Sequence, residues 1–86
     1  MIKKPYFLSF VEEAVMNPKY KDYVAGRIEV FKDPIPYDIE EIRFFTKNLD
    51  EYYEFREKWD LSLEVSEAEL NEIKKIVAEK FYDEVD

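Results

Sequence analysis

The sequence predicts an all-α protein, a compact bundle of four or five short helices. Three observations carry that expectation. Apolar residues recur at three- and four-residue intervals through most of the chain. Prolines and short polar residues fall where helices start and stop. Ser66 to Glu69 reads Ser-x-x-Glu ahead of Leu70, Ile73, Val77 and Phe81, a capping box opening an amphipathic helix.

Taken in order, Pro5 suits a first helical turn, and Phe7, Phe10, Val11, Ala14 and Val15 follow at helical spacing. Asn17-Pro18 ends that segment and can begin the next, with Asn17 as N-cap and Pro18 as first residue. Over 18–32, Tyr20, Tyr23, Val24, Ile28 and Phe31 fit one helix face, with Asp33-Pro34 as the stop. The run Arg27-Ile28-Glu29-Val30-Phe31 also alternates as a half-buried strand does, after a break at Gly26. Pro34-Ile35-Pro36 reads as an extended connector. Asp38 then caps a helix carrying Ile39, Ile42, Phe45 and Leu49, with Glu41 completing a capping-box-like pair. Asp50 restarts it through Tyr52, Tyr53, Arg56 and Trp59. Leu61 to Val65 alternates and reads as a short strand or an extended arm. An α+β alternative therefore pairs 26–31 with 61–65. In either version residues 1–86 form one domain, since neither a repeat nor a flexible linker interrupts them.

Composition narrows the chemistry. The chain has 13 basic and 21 acidic residues, a formal charge of −8, and neither His nor Cys. Thiolate and imidazole catalysis and conventional zinc or haem ligation are thereby excluded. A single glycine leaves no phosphate-cradling loop and no dinucleotide fingerprint. No twelve-residue calcium loop occurs, and neither cofactor nor metal is expected. A non-enzymatic protein is the expectation. The acidic balance argues against direct contact with nucleic acid or an anionic membrane, and no apolar run reaches the ~20 residues of a membrane span. A soluble, cytoplasmic protein is expected.

The charge is unevenly spread. Residues 1–43 hold 8 acids and 7 bases, whereas residues 44–86 hold 13 acids and 6 bases. Asp50, Glu51, Glu54 and Glu57 share a flank of one helix, and Glu69, Glu72, Glu79, Asp83 and Asp86 follow a comparable band on the last. Like charges at this spacing cost a helix a few tenths of a kcal/mol per pair, roughly. The bland explanation is a solvated face interleaved by Lys58, Lys74, Lys75 and Lys80. The sharper one is a carboxylate surface aimed at a basic, nucleic-acid-binding protein, its steps coarse enough to imitate phosphates along a strand. Asp50, Glu51, Glu54, Glu57, Glu72, Glu79 and Asp83 would supply attraction, with Tyr52, Tyr53 and Trp59 as anchors of the residue types that dominate binding hot spots. Small acidic, aromatic-rich chains of this composition occur among phage- and plasmid-encoded inhibitors; the likeness is one of composition alone. The alternative expectation is a small assembly protein that self-associates as a homo-oligomer through its aromatic face.

Overall fold

Alternation, not helical spacing, governs the first half of the chain. The computed structural model describes residues 4–32, 38–60 and 64–83. Within them β1 (Tyr6–Glu13), β2 (Val24–Lys32) and β3 (Asp38–Thr46) form an antiparallel sheet in the order β1-β2-β3. Two helices follow, α1 (Leu49–Asp60) and α2 (Glu67–Lys80). The expected all-α bundle of four or five helices is thus overturned: the fold is α+β.

The reason lies in segments that are apolar on both faces. In β2, Val24, Gly26, Ile28 and Val30 are buried while Ala25, Arg27, Glu29 and Phe31 are half-buried. Of the residues whose spacing suggested one helix face, Val24 and Ile28 lie on one face of the strand and Phe31 on the other, while Tyr20 and Tyr23 precede it. β1 behaves alike: Tyr6, Leu8 and Phe10 pack against the core, and Phe7, Ser9 and Val11 alternate with them. In β3 the buried set is Ile42, Phe44 and Thr46, and Glu41, expected in a capping pair, stands opposite Glu29 in the sheet. Such β-branched and aromatic segments suit a pleated surface, and tertiary burial overrides their weak helical preference.

Asn17 and Pro18 keep their expected roles on a smaller scale. The Asn17 side chain accepts from the Lys19 N–H, but the helix so capped is a single 3-10 turn, Pro18–Tyr20. The strand over 26–31 takes β1 and β3 as neighbours rather than 61–65. Leu61–Leu63, like Pro34–Pro36 and Asp86, lie outside the described residues. Val65 instead makes an isolated bridge to Tyr6, with N–H···O distances of 2.8 and 3.2 Å.

The helix expected from Asp38 through Leu49 is instead the strand β3, whereas those expected from Asp50 and from Ser66 are present as α1 and α2. The capping box of α2 is complete: Ser66 Oγ accepts from the Glu69 N–H (3.2 Å), and Glu69 Oε1 accepts from the Ser66 N–H (3.0 Å). α1 lies against β1 and α2 against β3, on the same side of the sheet. Tyr52, Phe55 and Trp59 of α1 meet Leu70, Ile73 and Val77 of α2 over Ile28, Val30, Ile42 and Phe44. After α2 the chain turns back onto the sheet: the Phe45 N–H donates to the Phe81 carbonyl (2.8 Å), and the Asp83 N–H to the Phe45 carbonyl (2.7 Å). No helix among the described residues is long and apolar enough to cross a membrane.

Candidate functional site

Two layers of unlike charge result from this arrangement. Residues 4–32 and 38–48, which build the sheet, carry seven acids and seven bases. Residues 49–60 and 67–80, the two helices that cover it, carry nine acids and five bases, a net of −4. The asymmetry seen along the chain becomes an asymmetry in space.

The carboxylates expected on the surface are mostly there. Asp50, Glu51, Glu54 and Glu57 are exposed on α1, and Glu72 and Glu79 on α2. Asp83 is half-buried at the β3 edge, where its carboxylate accepts from the Lys47 N–H at 3.3 Å. The aromatic residues separate. Tyr52 is fully buried and Trp59 is 4% exposed, both within the core, whereas Tyr53 is 47% exposed. Tyr52 packs on Phe44 at 4.8 Å between ring centroids and on Phe81 at 5.8 Å. Burial pushes its phenol well above the ordinary value, and the Glu12 carboxylate adds to the rise. Tyr53 shares the flank of α1 that carries Arg56, which pairs with Glu12 of β1 and with Asp60.

What the helical layer does bring together is an open groove of about 450 Å³ between α1 and α2. Glu51, Glu54 and Lys58 form one wall, Ile76 and Lys80 the other, and Phe55 and Phe81 the floor. The i, i+4 step places Glu72 on the same flank of α2 as Ile76. Acidic and aromatic surfaces therefore coincide here, through Phe55 and Phe81 rather than through the expected anchors Tyr52, Tyr53 and Trp59. Phe55 and Ile76 were legible as apolar helix positions; that they face each other across a gap depends on how two helices are set on one sheet, which neither helix encodes alone.

At the start of α2, the Ser66 N–H that it accepts holds the Glu69 carboxyl below the usual carboxylate range, with Lys4 (3.3 Å) assisting. Among the described residues no three carboxylates are grouped to hold a metal ion. The arrangement offers charge and a shallow apolar cleft. It defines a two-layer α+β domain with an acidic helical face. No protein-family model, curated protein or solved structure matches the chain.

Proposed function

We propose that the protein is a non-enzymatic binding module whose helical layer docks on a basic surface of another protein, of the kind that binds nucleic acid, and so occludes it. The separation of charge into a −4 helical layer and a neutral sheet layer carries this reading. A field of one sign over one face steers an oppositely charged partner and fixes its orientation. Glu51, Glu54 and Glu57 of α1 and Glu72 and Glu79 of α2 supply that field. The groove between the helices gives a partner's apolar side chain a place among Phe55, Ile76 and Phe81. Tyr52 and Trp59 support the layer from beneath, in the core.

The test is affinity capture from the source lysate on immobilised protein, eluted in rising salt. Screening shortens from ~10 Å at 0.1 M to ~3 Å at 1 M, so a partner held by this face should release over that range. The expected result is a basic nucleic-acid-binding protein that the triple variant Glu51→Lys/Glu54→Lys/Glu57→Lys, folded by circular dichroism, no longer retains. Retention unchanged by the triple reversal, or recovery of only the protein itself regardless of salt, would overturn the proposal.

A further inference from the structure

The outer edge of β3 presents a second opening, remote in chemistry from the acidic layer. Phe45 turns both its N–H and its carbonyl outward, to Phe81 and Asp83. Backbone groups alternate along an antiparallel strand, so Glu41 and Arg43 turn theirs outward as well. Neither has a backbone partner on that side among the described residues. The chain's own Tyr82 occupies the edge beside Phe45, and among the described residues no strand pairs with the next stretch of that edge.

Beside this stretch, on the helical side of the sheet, Ile42, Val77, Ala78 and Tyr82 line a shallow groove of about 260 Å³, with Arg43 and Lys74 at its rim. Lys74 is held by Glu40 at 2.7 Å. Arg27 pairs with Glu13 (2.6 Å), Glu41 (3.4 Å) and Glu29 (3.7 Å). Arg56 pairs with Glu12 and Asp60. Arg43 is the one arginine without an ion pair among the described residues, in a chain with 21 acids to 13 bases. An unpaired guanidinium, four unpaired backbone groups and an apolar groove thus meet within three residues of one strand edge.

We propose that this edge takes a short extended segment of a partner polypeptide, added as a strand along Glu41–Arg43. Backbone hydrogen bonds would supply affinity and alternate side chains specificity, as in other strand-addition complexes. Successive residues of the segment point to opposite faces. One places an aliphatic side chain on Ile42, Val77 and Ala78; the neighbour that lies beside Arg43 places a carboxylate on it. The occupant is therefore a segment that sets an acidic residue next to an aliphatic one, opposite in charge to the partner of the helical layer. Either surface can fail without the other.

The experiment pans a random heptapeptide display library on the whole protein and titrates an enriched peptide into ¹⁵N-labelled protein. Enriched sequences should set Asp or Glu next to Val, Ile or Leu, and the Glu41 and Arg43 amides should become protected from exchange. Arg43→Glu, and Ala78→Glu at an exposed helix position, should each weaken binding roughly tenfold or more, as loss of a charged hydrogen bond or of the groove requires. The proposal is overturned if no sequence family is enriched or if the enriched peptides are basic and shift α1 resonances instead. A folded Ala78→Glu variant that binds unchanged would overturn it too.

Discussion

Gly26 sits where a Cβ atom would lie 2.7 Å from the Phe44 ring, 3.0 Å from Glu12 Cα and hard against the Val11 carbonyl oxygen. Two of those three neighbours are backbone, so they cannot swing away. The third is a ring that in turn packs on Tyr52. A methyl group there must displace β1 or push Phe44 into the core. Gly26→Ala should therefore lower stability by about 2 kcal/mol, within the range for overpacking, read as a fall in the urea midpoint. An unchanged midpoint would mean that the ring and strand relax freely. In the sequence Gly26 looked like a break before a strand; in the fold it is a close approach within one. Tyr52 and Trp59 show the same limit at single side chains. Tyr and Trp dominate hot spots and also fill cores, so type alone does not assign them. The spacing 52, 55, 59 is the buried stripe of α1, whereas grouping Tyr53, Arg56 and Trp59 mixes a buried ring with an exposed flank.

Among elements, α2 was the most legible because its signal is local. Ser66 and Glu69 satisfy each other's backbone N–H groups whatever the rest of the chain does. Ser66→Ala should cost about 1 kcal/mol, measured by thermal or urea unfolding. The pH dependence follows from the lowered Glu69 carboxyl. That contribution is complete above the ordinary glutamate range, where the carboxylate is charged in both folded and unfolded chains. It disappears as pH falls through the lowered value and the folded state must take up the proton. Glu69→Gln keeps a side chain able to close the box and removes the titration, so its stability should fall less steeply than that of the wild type on acidification. Parallel acid limbs for the two proteins would contradict the assignment. The strands were less legible because their information is non-local. Tyr6-Phe7-Leu8 and Arg43-Phe44-Phe45 place apolar side chains on both faces, and such runs fit a period of two or of 3.6 until a neighbour selects one. For β2 the neighbour is a strand on each side, and Arg27-Ile28-Glu29-Val30-Phe31 then shows its alternation plainly.

For the whole molecule, the uneven charge along the chain translates into layers only because the chain changes element type near its midpoint. The three strands, the last ending at Thr46, build the sheet, and the two helices, from Leu49 to Asp60 and from Glu67 to Lys80, build what covers it. The halves were countable in the sequence; that one half lies on top of the other was not. This separation has a cost that can be set against the proposed role. Glu54 stands three or four residues from Asp50, Glu51 and Glu57, all exposed on α1, and has one compensating cation at that spacing, Lys58. Glu54→Lys converts three repulsions into attractions and one attraction into a repulsion. Each reversal swings a pair by twice about 0.2–0.5 kcal/mol, so the fold should gain on the order of 0.8–2 kcal/mol, and the gain should shrink in high salt. The same substitution should weaken capture of a basic partner, since Glu54 lines the groove between the helices. Opposite signs in stability and binding are the mark of a face kept for recognition at the expense of helix stability. A variant that is more stable and retains its partner equally well would instead assign these carboxylates to solubility alone.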